Sequence, residues 1–339
     1  MPDPTQPSAS VTSLANAPLS KRSGIAMVVL TLLGWSSIPL FLKHFTPLID
    51  CWTANGWRYA LSALIWLPVL ILGWKRKTLP PGLWKAALVP SLFNVPAQVA
   101  FGLAPYLVDP GLMTFSMRLQ IVFVMTGAAI LFAAERAIIR TAGFLIGMTI
   151  VLIGTAGTIY LNPKGLGGGT ALGISLAIGA GLLYSGYALS VRKFMHGMPP
   201  LAAFAAISQY TAVSLFILML IFAKHEGKHD FGMQVFNLDA LQLNLLALSA
   251  IIGIGLGHTL YFASIARLGL AVSAGVVQLQ PVIVAIASIS LFNEAFTPGQ
   301  WACGILAIVG AVYMLASQAI TQRKSRPAAA TADGKALHR

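Results

Sequence analysis

Long runs of apolar residues alternate with short polar breaks along most of the chain. Ten runs occur, at about 24–43, 51–74, 83–105, 111–134, 139–160, 170–191, 200–223, 240–266, 270–292 and 298–318. Each run is bounded by charged residues, proline, glycine or aspartate. A helix needs about 20 apolar residues to cross the ~30 Å hydrocarbon core of a bilayer. The pattern therefore predicts ten transmembrane helices, numbered 1 to 10 in chain order.

The chemistry of the backbone decides between helices and strands. An unpaired amide in lipid costs several kcal/mol, so only helices and closed barrels span membranes. A barrel would need strands of about ten residues in which apolar and polar positions alternate, and the ten runs show no such alternation. The predicted fold class is an all-α integral membrane protein.

Composition excludes a soluble globular protein. Of the 339 residues, 57% are hydrophobic and only 9% are charged, against about 25% charged in a typical soluble domain. Cys51 and Cys303 are the two cysteines, and neither lies in a spacing typical of metal sites or disulfide frameworks. No paired carboxylates or nucleophile–histidine signature indicate an enzyme. We therefore expect no catalytic residues, no metal and no cofactor.

The basic residues predict the orientation in the membrane. The net charge of +13 does not indicate a nucleic-acid partner, because positive residues gather in the cytoplasmic loops of membrane proteins. If the N-terminus is cytoplasmic, the outer segments hold four basic residues, Lys43, Lys164, Lys224 and Lys228. The inner segments then hold 16, namely Lys21, Arg22, Lys75, Arg76, Lys77, Lys85, Arg136, Arg140, Arg192, Lys193, Arg267, Arg323, Lys324, Arg326, Lys335 and Arg339. This asymmetry predicts a multi-pass protein of the cell inner membrane with both termini in the cytoplasm.

An internal repeat divides the chain. Residues 24–45 align without a gap on residues 173–194, with six of 22 positions identical. In this alignment Trp35 matches Tyr184, and Lys43 matches Arg192. Helices 1 and 6 each open a set of five helices. Because five is odd, the second set must be inverted in the membrane, and inverted repeats of this kind are typical of secondary transporters.

The repeat gives the expected domain boundaries. We predict a disordered cytoplasmic tail over 1–22, a first five-helix repeat over 23–161, a glycine-rich linker over 162–169, a second repeat over 170–318 and a basic cytoplasmic tail over 319–339. A second similarity between the two halves supports this division. Glu135 and Glu294 each follow a long apolar run and precede the glycine-bearing last helix of their repeat. The outer loop at about 224–239 is a candidate for a short interfacial helix.

The order of these features resembles the drug/metabolite transporter superfamily, and specifically its EamA-type ten-helix members. Tyr261–Leu315 resembles the family pattern best, with a mid-helix proline at Pro281, a helix-ending Glu294 and a glycine-rich final helix. Arg58-Tyr59 resembles the arginine–aromatic pair of the family. The resemblance covers about residues 22–318. It implies alternating access, cytoplasmic termini and export of amino acids or related metabolites.

Arg118 is the first candidate for substrate binding. It lies eight residues inside the outer end of predicted helix 4, a depth of about 12 Å by the rise of a helix. A charge at this depth is costly, and no acidic residue lies deep in any apolar run. A guanidinium can hold a carboxylate of a substrate through two parallel hydrogen bonds. The alternative is an arginine that snorkels to Asp109 or to backbone carbonyls at the outer interface.

Polar residues of helix 9 face those of helix 4. Gln278 and Gln280 flank Pro281, which removes an amide donor and favours a kink. Arg118 and Gln120 lie at nearly the matching place of helix 4. Two facing polar patches near the midplane are suited to substrate binding. The alternative is simple hydrogen bonding between helices, worth about 0.6 kcal/mol per contact.

Further candidates lie on helices 1, 2, 3, 6 and 8. We expect Arg58 to be structural, with neighbouring aromatic rings stacked on it. Asn94 and Pro96 are expected to break helix 3, and Gln98 to supply a substrate hydrogen bond. Glycines loosen helix 8 ahead of His258, a candidate hydrogen-bonding residue or proton carrier, although such a histidine is more often a core residue. The remaining candidates are Trp35 and Tyr184. They could form the wall of a cavity that accepts aromatic groups, or they could simply pack in the core.

The sequence thus favours a secondary transporter that exports a small metabolite, with an amino acid as the best match. A transporter of sugars or nucleotide-linked solutes is the alternative within this class. A non-transporting scaffold or a membrane-embedded enzyme is the alternative outside it. The expected partners are a small-molecule substrate and the lipid bilayer, and a second copy of the chain in a homodimer is a further candidate.

Overall fold

The computed structural model describes residues 21–268 and 270–336. Ten helices are long and apolar enough to cross a membrane, which confirms the predicted all-α membrane fold. They are α1 (Lys21–Phe45), α2 (Cys51–Lys75), α3 (Leu83–Tyr106), α4 (Pro110–Leu131), α5 (Ala142–Tyr160), α6 (Thr170–Phe194), α7 (Pro200–Phe222), α8 (Ala240–Ile265), α9 (Val272–Phe292) and α10 (Pro298–Thr321). The protein is therefore a multi-pass membrane protein. Below, "inner" and "outer" name the ends of the helices according to the predicted orientation.

Both ends of the chain differ from the predicted boundaries. Lys21 and Arg22, assigned to the N-terminal tail, already belong to α1. Residues 1–20 of that predicted tail lie outside the described residues. At the other end, the last helix continues beyond Thr321 as far as Ala336, so the backbone of the predicted basic tail is helical over most of its length. Residues 337–339 lie outside the described part of the chain.

Polar side chains fix where several helices begin. Asp50 precedes α2, and its carboxylate accepts hydrogen bonds from the amides of Trp52 and Thr53. Asp239 forms a capping box with Gln242 at the start of α8. These carboxylates satisfy amides that have no partner within the first turn of a helix.

The outer loop between α7 and α8 is structured but is not an α-helix. Two-residue strands, β1 (Lys224–His225) and β2 (Lys228–His229), pair in antiparallel fashion. A 3₁₀ helix follows at Met233–Asn237. Gln234 anchors this segment, because its buried side-chain amide bonds to Asp50, Thr53 and the carbonyl of Lys224.

Three of the membrane helices are irregular near their middle. In α4 a 3₁₀ turn at Met117–Leu119 separates two α-helical parts. The helical hydrogen bonding of α9 is interrupted between Val277 and Gln280, just before Pro281. In α8 a π-helical segment spans Ile251–Leu256, which contains two of the glycines expected to loosen this helix. Irregular backbone in a membrane is tolerated where it is buried in protein or lines a cavity, so these places indicate the functional centre.

The predicted break in α3 at Asn94 and Pro96 is wrong. The α-helix runs without interruption from Leu83 to Leu103. A proline removes one amide donor and clashes with a carbonyl one turn earlier, but neighbouring helices and small local adjustments accommodate prolines in membrane helices. The side chain of Pro96 is exposed, whereas Asn94 is buried.

Several helix contacts occur in matching pairs, in which each helix of one pair corresponds to the helix five places earlier or later in the other pair. Thus α3 packs on α6 and α8 on α1, while α4 packs on α6 and α9 on α1. The pairs α2–α7, α4–α9 and α5–α10 each join two counterparts directly. Two repeats related by a two-fold rotation would give this pattern. The inversion itself stays a prediction.

Glycines bring α5 and α10 into backbone contact. A Cβ atom on Gly154 would lie 2.5 Å from the amide nitrogen of Ala307 and 2.6 Å from the carbonyl oxygen of Cys303. A Cβ atom on Gly310 would lie 2.8 Å from the amide nitrogen of Val151. Small residues permit such close approach, and van der Waals packing then drives helix association in lipid.

Candidate substrate site

Arg118 lies at the junction of α4 and α9. Its guanidinium donates to the side-chain oxygens of Gln278 and Gln280, at 3.2 Å each. Its Nε also donates to the carbonyl oxygen of Thr114 at 3.3 Å. Arg118 is 7% exposed. The structure thus brings together three of the residues expected to form a polar centre, at the places where α4 and α9 lose regular helical geometry.

Gln280 links this centre to α1. Its side-chain amide accepts from Arg118 and donates to the carbonyl oxygen of Trp35 at 2.9 Å. The indole of Trp35 in turn packs edge-on against the ring of His258, with centroids 5.4 Å apart. His258 also stacks on Phe204 at 4.4 Å. Helices α1, α4, α8 and α9 therefore meet around one polar and aromatic cluster.

Neither Arg118 nor the second buried arginine, Arg58, has a carboxylate partner among the described contacts. The ion pairs in the described part of the chain join Lys43 and Lys164 to Asp109, and Arg192 to Glu135, all near helix ends. A buried cation is stable only if it is paired or well hydrogen-bonded. The described hydrogen bonds use three of the five N–H groups of Arg118. An anionic group could therefore be bound without displacing the two glutamines.

The other deep arginine, Arg58, joins a second polar cluster. Its Nε donates to the hydroxyl of Ser249 on α8 at 2.9 Å, and its Nη1 donates to Asn55 at 3.3 Å. The aromatic residues expected to stack on it include Trp52 and Trp57. Trp52 packs on Phe222 and Trp57 on Phe216 and Phe236. Arg58 is thus held by hydrogen bonds that tie α2 to α8.

Residues of α3 extend this second cluster. Asn94 donates to the hydroxyl of Thr211 on α7 at 2.9 Å. The side-chain amide of Gln98 donates to Asn94 at 3.4 Å. The main-chain carbonyl oxygen of Gln98 accepts from the side chain of Asn55. The predicted binding residue Gln98 and the predicted structural residue Asn94 therefore lie with Arg58, in a set of contacts distinct from those of Arg118.

The other predicted residues lie beside these clusters. The main-chain oxygen of Gln120 accepts from Ser185 of α6 at 3.0 Å. Tyr184, next to that serine, packs edge-on against Phe101 of α3. Pro281 is buried in the first turn after the interruption of α9. Tyr184 and Trp35 thus occupy corresponding helices, but only Trp35 touches the polar centre in the described contacts.

Two cavities flank the centre without including Arg118. One, of about 280 Å³, lies between α7 and α8 and is lined by Pro200, Leu201, Phe204, His258, Thr259 and Ala263. The other, of about 130 Å³, lies at the outer ends of α1, α3, α4 and α6 and has Lys43, Asp109, Lys164 and Glu294 in its wall. Arg118 itself is 7% exposed and lines neither of these two cavities.

Charged groups gather around the outer cavity. Asp109 is paired with Lys164 and, at 3.2 Å, with Lys43. Burial raises the pKa of Asp109, but the hydrogen bonds and charges of the two lysines outweigh burial and lower it overall. Glu294 accepts hydrogen bonds from the amides of Gly111 and Leu112 at the start of α4, at 2.9 Å each. Burial raises the pKa of Glu294 despite these bonds.

We expect Asp109→Asn to lower the thermal stability of the purified protein by a few degrees at pH 7. Ion pairs of this partly exposed kind contribute up to about 1 kcal/mol. Because the folded pKa of Asp109 lies below its ordinary value of 3.8, the contribution is complete above that value and lost as the pH falls through the folded pKa. Melting curves between pH 8 and 4 should therefore keep a constant difference.

The matched control for this prediction is Glu226→Gln, which removes an exposed carboxylate on the same side. It should leave the melting temperature unchanged. A stability difference for Asp109→Asn that already disappears between pH 7 and 5 would contradict the lowered pKa.

Several contact residues have no signal in the sequence. Ser249 and Thr211 are single hydroxyls in apolar runs, and their partners lie 191 and 117 residues away. Asn55 is the exception, because it precedes Arg58 by three residues and so shares its helix face. The bond from Glu294 to α4 joins a loop to a helix 182 residues earlier, which no local pattern predicts.

Comparison with known proteins finds a family match for the second half of the chain. Residues 171–316 match the model of the EamA-like transporter family. The second half of the chain is an EamA-like transporter domain. This match agrees with the resemblance to the drug/metabolite transporter superfamily, and the ten membrane-length helices of the described residues agree with it.

A solved structure extends the similarity to the first half. The EamA-like chain is similar to a protein described only as "Crystal structure of protein", with 16% identity and a TM-score of 0.58. The match covers 87% of this chain and 96% of that chain. At this identity it shows the fold alone. No protein of curated function matches the chain.

Proposed function

We propose that the EamA-like chain is a secondary transporter of the cell inner membrane that exports a small organic acid or zwitterion, with an amino acid or a related metabolite as the best match. Arg118 carries this proposal. It is a buried cation at the meeting of the two halves, its described partners are all neutral, and it keeps N–H donors for a carboxylate. Substrate binding at a repeat interface near the midplane is the general design of inverted-repeat transporters.

The predicted substrate-binding residues have the following roles in this proposal. Arg118 binds the anionic group, and Gln278 and Gln280 orient its guanidinium. Trp35 and His258 form the wall beside them, next to the cavity of about 280 Å³. The remaining proposed ligands are Gln98 and Gln120 of the first half and Tyr184 of the second half, which lie beside the polar clusters.

The symmetric packing supports transport by alternating access. The pairs α2–α7, α4–α9 and α5–α10 join counterparts of the two halves, so one rocking motion would open one end as it closes the other. Both termini remain on the cytoplasmic side throughout. Movement of the substrate would then require the contacts between α4 and α9 to rearrange around Arg118.

A ligand screen on purified protein tests the proposal. We expect amino acids or other carboxylates to raise the melting temperature by a few degrees at high concentration, because a ligand at 100 times its Kd stabilises a protein by about 2.7 kcal/mol. Compounds that stabilise the protein should then show saturable counterflow in liposomes. Stabilisation by neutral sugars alone would contradict the role of Arg118, and the absence of counterflow for every stabilising compound would contradict transport.

A further inference from the structure

The two ends of α4 are each bonded to the second half of the chain. At the outer end, the Glu294 carboxylate accepts hydrogen bonds from the amides of Gly111 and Leu112, at 2.9 Å each. At the inner end, Arg192 of α6 donates to the Glu135 carboxylate at 2.7 Å, just beyond the end of α4. We call these contacts the outer latch and the inner latch. The two latches thus hold α4 at both ends, on either side of Arg118.

The carboxylates of both latches are buried, whereas the cation of the inner latch, Arg192, is about half exposed. The residues Glu294 and Glu135 are 5% and 7% exposed. Both carboxylate oxygens of Glu294 are used, one for each amide. The guanidinium of Arg192 also lies over the ring of Phe132, 4.2 Å from its centroid. Charge-assisted hydrogen bonds in such places are stronger than those between exposed groups.

The internal repeat relates the latches to each other. Glu135 and Glu294 occupy the same place in their repeats, after the fourth helix of each. The cation of the inner latch, Arg192, aligns with Lys43, which lines the outer cavity together with Glu294. Equivalent acids therefore act at opposite ends of the molecule, which is the arrangement expected for contacts that close opposite sides.

We propose that the outer latch and the inner latch are the two gates of the transport cycle, and that opening either side of the protein requires the latch on that side to break. This inference rests on the proposed function. Both latches are closed here, and Arg118 is buried between them. Because α4 carries Arg118, release of one end of α4 would expose the site to that side while the other end stays bonded.

Accessibility of buried cysteines tests the gates without any knowledge of the substrate. The background is the full chain with Cys51→Ala and Cys303→Ala, in liposomes. The inner reporter is Leu189→Cys, a 7% exposed residue of α6 in contact with α4 at Gly127. The outer reporter is Val108→Cys, a 4% exposed residue packed on α6 at Gly173. The measurement is the rate of maleimide labelling of each reporter.

We expect Glu135→Gln to raise the labelling rate of the inner reporter by about tenfold and to leave the outer reporter unchanged or slower, since loss of a hydrogen bond to a charged group changes an equilibrium by about tenfold or more. Glu294→Gln should do the opposite. The matched control Lys193→Gln, which changes an exposed neighbour of Arg192, should change neither rate.

A charge swap keeps the test decisive if a single variant does not fold. Glu135→Arg combined with Arg192→Glu should restore the ion pair and the slow labelling of the inner reporter. Unchanged inner labelling in Glu135→Gln, equal changes at both reporters, or a swap that fails to restore slow labelling would each overturn the proposal. If transport still depends on Arg118 in that event, the assignment of the two latches as gates is wrong and the proposed function stands.

Discussion

Arg118→Ala should reduce the rate of carboxylate transport in liposomes by at least about 100-fold, while the protein still inserts and elutes as a single species. The substitution removes the charge that we propose binds the substrate, and it leaves Gln278 and Gln280 without their donor. Loss of a buried charge-assisted contact costs several kcal/mol, and every 1.4 kcal/mol is tenfold in affinity. Arg118 is thus expected to be the most sensitive position for function.

Three further variants separate binding from structure. Arg118→Lys keeps the charge but not the planar fork, so we expect weak residual transport with a raised KM. Gln280→Glu would pair with Arg118 internally and should inhibit transport while raising stability. Arg140→Ala, an exposed arginine at the inner surface, is the matched control. Equal transport by the wild type and Arg118→Ala would remove this residue from the site.

Gly154→Ala should destabilise the protein far more than the addition of one methyl group would suggest. The new Cβ atom would lie 2.5 Å from the amide nitrogen of Ala307 and 2.6 Å from the carbonyl oxygen of Cys303. These are backbone atoms of α10, so relief requires the helices to move apart. Overpacking of this kind costs about 1–3 kcal/mol or more. We expect a fall of several degrees in melting temperature, and Gly154→Leu should prevent folding.

The control for this prediction is Gly179→Ala on α6. A Cβ atom there meets nothing within 4 Å, so the melting temperature should stay the same or rise, because alanine favours a helix over glycine. Equal destabilisation by the two alanine variants would show that α5 and α10 do not pack backbone to backbone.

The membrane spans could be predicted from the sequence because lipid imposes one rule on every segment. An apolar run of the right length must be a helix, and the ten runs are the ten helices. The meeting of Arg118 with Gln278 and Gln280 was also predictable, since these residues are the rare polar groups at matching depths of corresponding helices. Lipid leaves few other partners for such groups.

The contacts of other polar side chains depend on how each helix is rotated about its own axis, which the sequence does not reveal. A run that is apolar on all sides has no periodicity from which a buried face can be inferred. The bonds from Arg58 to Ser249 and from Asn94 to Thr211 were therefore not predictable. The break expected in α3 was wrong for a related reason. A proline weakens a helix locally, but packing against neighbouring helices determines whether the helix continues.

Distances between spin labels at the two ends of the protein test alternating access most directly. The outer pair is Pro47→Cys with Ala295→Cys, and the inner pair is Lys75→Cys with Lys193→Cys, each joining exposed positions of the two halves in the background without native cysteines. A saturating transported acid should change the outer and inner distances in opposite directions, and Arg118→Ala should abolish the change. Distances that stay constant, or that lengthen together at both ends, would contradict transport by alternate opening of the two halves.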